Sequence, residues 1–160
     1  MRIALRVLGA LALVAALAAA SNATIINFTA TLAGTNEVPP NASPATGTAT
    51  LVMDTDANTM TYTVTYSGLV ASETAAHIHG FAAAGANAGV RTPLPATAGT
   101  KTGTWNYLEA DEANIIAGLT YVNIHSSTYP GGEIRGQVLQ NDVGVEQKSW
   151  SQIQDLYKGN

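Results

Sequence analysis

A strict alternation of apolar residues with threonines over positions 59–66 constrains the fold of this 160-residue chain more than any other feature. Successive side chains of a β-strand point to opposite faces, so a period of two predicts a strand with one buried face. The apolar face would carry Met60, Tyr62, Val64 and Tyr66. Residues 54–58 have turn chemistry, and 48–53 alternate in the same way, so we predict a β-hairpin.

Short strands and turn signals continue along the rest of the chain. Further strands are predicted at 26–32, 75–80, 101–107, 119–125 and 134–138. Residues 109–117 resemble one or two helical turns, and the Ala-, Gly- and Pro-rich segment 81–100 is predicted to be a long loop. About seven short strands in this arrangement predict an all-β fold, an antiparallel sandwich or barrel.

The first 23 residues have the layout of a secretory signal peptide. Arg2 and Arg6 precede an unbroken apolar run over 7–20, and small residues follow up to Ala23. The run is shorter than the roughly 20 residues that a membrane-spanning helix needs. We expect cleavage after Ala23, with Ala20 as the alternative, and a secreted or periplasmic protein without a transmembrane segment.

The remainder divides into a domain at 24–142 and a tail at 143–160. The domain has a usual size for a single folding unit. In the tail, Ser149 and Gln152 have the spacing of a capping box, and apolar residues recur at helical intervals at Trp150, Ile153, Leu156 and Tyr157. We predict a short amphipathic helix that either packs on the domain or serves as a partner-binding or anchoring tag.

Charge and cysteine content exclude some partners and some sites. Of 7 basic and 11 acidic residues, Arg2 and Arg6 lie in the leader, so the mature chain has a net charge near −6. Nucleic acid is therefore not expected as a partner. The chain has no cysteine, which excludes disulfides and thiolate metal sites.

The chain has three histidines, and all of them lie in predicted strands. His77 and His79 are two residues apart, so they share one face of a strand, opposite Ile78. His125 likewise lies opposite the apolar face of its own strand. If the two strands are neighbours, three imidazoles converge, a donor set that binds copper or zinc. The alternative is that these are ordinary polar-face histidines with hydrogen-bond partners.

Few other residues suggest chemistry. Glu133 and Arg135 share a strand face, and we interpret them as an exposed ion pair of small energetic consequence. The alternative is that Arg135 shapes an anion-binding site beside a metal. The chain lacks a Gly-x-Ser-x-Gly elbow, a phosphate-binding glycine-rich loop and a Cys–His pair. No catalytic residue is assigned.

Three stretches resemble the CHRD domain, first described in the vertebrate protein chordin and also found in exported bacterial proteins. Residues 32–40 read LAGTNEVPP, 77–80 read HIHG and 121–137 read YVNIHSSTYPGGEIRGQ. The resemblance covers about 28–139. It implies an immunoglobulin-like β-sandwich or barrel and no settled activity.

A second resemblance is to the copper-site segment of Cu/Zn superoxide dismutase, also a β-sandwich. Gly68-Leu69 followed by His77-Ile78-His79 is similar to the segment in which a His-x-His pair ligates copper together with a later histidine. The resemblance implies that His77, His79 and His125 correspond to these copper ligands. The chain lacks the bridging histidine, the zinc ligands and the disulfide cysteines, so a binuclear enzyme is not expected.

The leading hypothesis is an exported CHRD domain protein that binds one copper or zinc ion through His77, His79 and His125. The alternative is a metal-free extracellular module that contacts a protein partner through the 81–100 loop or the C-terminal helix. A copper-only redox enzyme of the superoxide dismutase type is the third hypothesis.

Overall fold

The computed structural model describes residues 24–141, and within them the chain forms nine β-strands and one short α-helix. The strands are β1 (Ile25–Ala33), β2 (Thr46–Asp54), β3 (Thr59–Ser67), β4 (Glu73–Gly80), β5 (Val90–Pro93), β6 (Thr100–Asn106), β7 (Thr120–Ser126), β8 (Ile134–Gln137) and β9 (Leu139–Gln140). The helix α1 is Glu112–Ile116, and 3-10 turns cover Gly34–Asn36 and Glu109–Asp111. The predicted signal peptide and the predicted helical tail at 143–160 lie outside the described residues. Between 24 and 141, no helix has the length and apolar content needed to cross a membrane.

Eight of the strands form one antiparallel sheet in the order β5–β4–β7–β8–β1–β2–β3–β6, and β9 pairs with β1 beside this path. The sheet curls into a nearly closed barrel, so the prediction of an all-β sandwich or barrel is confirmed in its barrel form. The hairpin of β2 and β3 is also confirmed, with pairing along the full length of both strands.

The path of paired strands begins at β5 and ends at β6, and an ion pair beside this seam joins β6 to β4. Lys101 of β6 has a fully buried side chain, and its ammonium lies 2.6 Å from the Glu73 carboxylate of β4. It also donates to the backbone oxygens of Pro95 and Thr97, each at 2.7 Å. A buried charge is tolerated when it is paired and hydrogen-bonded, as this one is.

The apolar core lies inside the barrel, on the faces that the alternation predicted. Threonines of β2 and β3 point outward, and their apolar neighbours point inward. Each large side chain that is fully buried contributes about 1.5–3 kcal/mol relative to exposure. The largest apolar members of this core include Phe28, Leu32, Leu51, Met53, Met60, Ile78, Ile115, Ile124 and Ile134.

The predicted long loop at 81–100 is interrupted by a strand, so this prediction is wrong in part. Val90–Pro93 forms β5 and pairs with β4 opposite His77–His79. A four-residue segment ending in proline has no alternation of its own, and its pairing with β4 is a tertiary contact. The segment 81–89 becomes a shorter loop between β4 and β5. It runs over the outside of the barrel, where the histidines lie.

Candidate metal centre

The pairing of β4 with β7 brings the three histidines together. His77 lies opposite Asn123, and His79 lies opposite Tyr121. His125 is the next residue on the same face of β7. Residues paired across antiparallel strands project to the same face of the sheet. The three imidazoles therefore share one face, as predicted for neighbouring strands.

That face is the outside of the barrel, although it is largely covered. Ile78 and Ile124 alternate with the histidines and are fully buried in the core on the other side. His79 and His125 are only 9% and 8% exposed, and His77 is half-buried. Two imidazoles thus lie in a low-dielectric layer outside the apolar core, and His77 is the member nearest solvent.

One nitrogen of each histidine lies within 4.8 Å of the corresponding nitrogens of the other two. The Nδ1 atom of His77 and the Nε2 atom of His125 are 3.2 Å apart. Metal–imidazole bonds of about 2 Å place the ligand nitrogens of one ion roughly 3–4 Å apart. Small side-chain rotations would bring the three nitrogens to that spacing, so the cluster could hold a metal ion.

Backbone carbonyls orient two of the rings. His79 donates through Nδ1 to the oxygen of Ala88, and His125 donates through Nδ1 to the oxygen of Pro130, each at 3.0 Å. These partners fix the tautomers, because a carbonyl oxygen only accepts. The Nε2 atoms are left without protons, and the buried Nε2 of His79 has no hydrogen-bond partner among the described residues. A metal ion would satisfy this nitrogen.

His77 differs from the other two in the nitrogen that it presents. The Nδ1 atom of His77 lies 3.2 Å from Nε2 of His125. Since Nε2 of His125 carries no proton and can only accept, the proton of this hydrogen bond is on Nδ1 of His77. Ligation at this atom would require the proton to move to Nε2 or to leave. An ion held at these atoms would therefore have a mixed donor set, with Nδ1 from His77 and Nε2 from His79 and His125.

The surroundings favour neutral imidazoles. Burial lowers the pKa of His77 below its ordinary value of 6.5, and the neighbouring rings of His125 and His79 lower it further. Burial is also the main cause of the lowered pKa of His79, with Ala88 acting in the opposite direction. Neutral imidazole is the form that binds a metal ion, so both rings are prepared for ligation at neutral pH.

The prediction that Glu133 and Arg135 form an exposed ion pair is wrong. The two side chains are 0% and 1% exposed, and they have separate partners. Glu133 accepts from the Ser43 hydroxyl at 2.6 Å and from the backbone N–H of Val70 at 2.8 Å. Strand alternation assigned this face to the outside correctly, but it carries no information on the loops that cover it.

Arg135 lies beside the histidines and is part of a stack that sequence reasoning missed. Its guanidinium carbon lies 3.4 Å from the ring centroid of Tyr121. The ring of Tyr121 is stacked on that of His79, with centroids 4.9 Å apart and an interplanar angle of 5°. Arg135 is hydrogen-bonded to Ala86 and Asn87 of the 81–89 loop. The proximity of a cation also helps to lower the pKa of His79.

Glu37 is a second buried polar residue that sequence reasoning did not single out. It is 5% exposed, and burial raises its pKa to about 7 although Arg135 acts in the opposite direction. The Glu37 Oε1 and Asn123 Oδ1 atoms lack hydrogen-bond partners among residues 24–141. A Cβ atom built on Gly132 would lie 2.7 Å from each of them. A proton on Glu37 would give this carboxyl a donor, which a carboxylate lacks. The only sequence signal was one glutamate within LAGTNEVPP.

The comparisons with known proteins agree with the first resemblance. The family model of the CHRD domain matches residues 28–138, which is more than half of the chain and includes all three histidines. No curated protein and no solved structure shows significant similarity to the chain. The likeness to superoxide dismutase therefore rests on the motif alone.

Proposed function

The chain belongs to the CHRD domain family, and from the geometry of its three histidines we propose that it binds one copper or zinc ion. The ligands are Nδ1 of His77, Nε2 of His79 and Nε2 of His125. The observation that carries the proposal is the buried Nε2 of His79, which has no hydrogen-bond partner among the described residues and lies on one of the three clustered histidines. An unsatisfied buried polar atom costs about 1–3 kcal/mol, and metal ligation would remove that cost.

The donor set narrows the choice of metal. Three imidazole nitrogens without a thiolate suit copper(II) and zinc, and the usual order of divalent affinities places copper above zinc. Three protein ligands leave a further position for water or a small anion, and His77 is the ligand nearest to solvent. A bound ion would supply a Lewis-acidic centre there.

Calorimetric titration of the purified protein with copper(II) and with zinc tests the proposal. We expect one ion per chain for the unmodified protein at neutral pH, with tighter binding of copper. His77→Ala and His125→Ala should each weaken binding by more than the roughly 10–100-fold typical of a lost supporting contact. Gln140→Ala, an exposed residue on β9, is the control and should leave the affinity unchanged. Stoichiometric binding retained in both histidine variants would rule out this site.

Export and partner binding are further proposals. The signal-peptide layout of residues 1–23 supports a secreted or periplasmic location. A protein partner at 81–100 is supported by β5, an edge strand on which Val90 is 51% exposed, and the C-terminal helix is the other candidate contact. Absence of metal binding by the unmodified protein would favour this interaction module. Catalytic removal of superoxide by the copper-loaded protein would favour the third hypothesis, a copper-only redox enzyme.

A further inference from the structure

We propose that Tyr121 and Arg135 are positioning residues for the metal-binding nitrogen of His79, and that they act through the backbone of residues 86–88. The inference rests on the proposed metal site. It assigns a role to two buried side chains: Tyr121, whose ring is stacked on that of His79, and Arg135, whose guanidinium contacts the ring of Tyr121.

The first step is the stack itself. Tyr121 lies between the imidazole of His79 and the guanidinium of Arg135, because β7 lies between β4 and β8 in the sheet. The two aromatic rings are parallel to within 5°, and the guanidinium contacts Tyr121 at 3.4 Å. Packing of this kind restricts the torsion about the imidazole ring of His79. It does not decide which nitrogen of the ring carries the proton.

The 81–89 loop determines which nitrogen of His79 carries the proton. Ala88 is the residue whose oxygen accepts the Nδ1 proton of His79, and the Tyr121 hydroxyl binds Ala88 twice. The hydroxyl accepts from the backbone N–H of Ala88 at 3.0 Å and donates to its oxygen at 3.2 Å. Tyr121 thereby fixes both polar groups of the one residue that orients His79.

Arg135 is hydrogen-bonded to the same loop just before Ala88. Its Nη2 donates to the oxygen of Ala86 at 2.7 Å, and its Nη1 donates to Oδ1 of Asn87 at 3.0 Å. The Asn87 side chain in turn donates to the oxygen of Val38 at 3.0 Å, so the loop is also tied to the segment after β1. Residues 83–87 are exposed, and these bonds rather than burial hold them in place.

The consequence for the metal site follows from the geometry of imidazole. With the proton held on Nδ1 by Ala88, only Nε2 of His79 is free to bind an ion. Outer hydrogen bonds of this type raise ligand basicity and commonly change metal affinity by about 10–100-fold. Loosening residues 86–88 would let the ring adopt the other tautomer, which carries a proton on the ligand nitrogen.

Two variants test the inference. Tyr121→Phe keeps the ring stack and removes both bonds to Ala88. Asn87→Ala removes one acceptor of Arg135 at an exposed position, so it should fold even if changes at the buried Arg135 do not. Arg91→Met is the matched control. Arg91 lies 3.9 Å from the ring centroid of Phe81 and pairs with Asp111, so its side chain contacts the start of the same loop and makes no hydrogen bond to residues 86–88.

Each variant is measured in two ways. Nitrogen NMR of the metal-free protein at neutral pH reports the tautomer of His79, and zinc titration reports the affinity. We expect Tyr121→Phe to show partial protonation at Nε2 and an affinity loss of about 10–100-fold. Asn87→Ala should shift both readouts in the same direction by less, and Arg91→Met should shift neither.

The inference is overturned if Tyr121→Phe and Asn87→Ala both keep His79 fully protonated at Nδ1, or if both bind zinc as tightly as the unmodified protein. The tautomer measurement needs no metal. If the unmodified protein bound no ion, the proposed function would fail, and the tautomer alone would decide whether the loop positions His79.

Discussion

Replacement of Glu37 by Gln should stabilise the protein at alkaline pH and have little effect at acidic pH. The Glu37 carboxyl is 5% exposed, and burial raises its pKa from the ordinary 4.5 to about 7. Since the folded state holds this proton more tightly than the unfolded state, the stabilisation is fully present below pH 4.5. It is lost as the pH rises through 7. A glutamine remains neutral at every pH and, like a protonated carboxyl, carries a donor.

The pKa values of Glu37 in the unfolded and the folded state set the size of the stability change. They differ by about 2.5, and each pH unit corresponds to about 1.36 kcal/mol, so complete ionisation of Glu37 would cost the folded state about 3 kcal/mol. Part of this cost is already present at pH 5, because the unfolded carboxyl is largely ionised there. Between pH 5 and pH 8, we therefore expect the stability difference between Glu37→Gln and the unmodified protein to grow by about 2–3 kcal/mol.

Urea unfolding at a series of pH values, with a chelator present, measures this difference. The histidines contribute in the opposite direction, because lowered pKa values of His77 and His79 favour the folded state as the pH rises. Their contribution is common to both proteins and cancels in the comparison. Glu109→Gln, at an exposed position, is the control and should show no such trend. A difference that stays constant within about 0.5 kcal/mol from pH 5 to 8 would refute the assignment of Glu37 as a buried, protonated carboxyl.

Metal affinity should be maintained down to about pH 6.5 and decline only below it, because burial lowers the pKa of His77 and His79; calorimetry at several pH values checks this, and an undiminished affinity at pH 4 would contradict it. Lys101→Met should lower the free energy of unfolding by about 3–5 kcal/mol, since it leaves the Glu73 carboxylate without its cationic partner at the seam. Adding Glu73→Gln should recover part of that loss in denaturant titrations, and strictly additive losses would contradict the ion pair. Gly132→Ala should lower the free energy of unfolding by about 1–3 kcal/mol, because Gly132 has a φ of 137° and an added Cβ would crowd the side chains of Glu37 and Asn123. An unchanged urea unfolding curve would contradict this.

Much of the barrel was predictable, because alternation is a local property of the chain. The inward faces of β1, β2 and β3 follow directly from the spacing of their apolar residues. The same property placed His77 and His79 opposite Ile78. Convergence with His125 required one further condition, the pairing of β4 with β7, and the structure satisfies it.

The covering of the outer face was not predictable, because it depends on segments that are far apart in sequence. Arg135 was expected at the surface, but the 81–89 loop closes over it and supplies its acceptors. Glu37 is buried against Asn123, 86 residues away. The 81–89 loop and the segment after β1 that contains Glu37 have no periodic pattern. Strand alternation could therefore not reveal that a polar layer is buried outside the barrel. The choice of Nδ1 or Nε2 depends on the 81–89 loop for His79 and on the turn at Pro130 for His125.

The pairing of β4 with β7 closes a long ring of chain, since 48 residues separate His77 from His125. In a protein without cysteines, an ion held by both side chains would act as a crosslink between these positions. For a ring of this size the chain-entropy model gives about 4 kcal/mol, as long as the ion stays bound to both in the unfolded chain. Acid or a chelator would open such a crosslink, and reducing agents would not open one made by zinc, which has no redox chemistry. Its strength would follow metal supply and pH, whereas that of a disulfide follows the redox state of the surroundings.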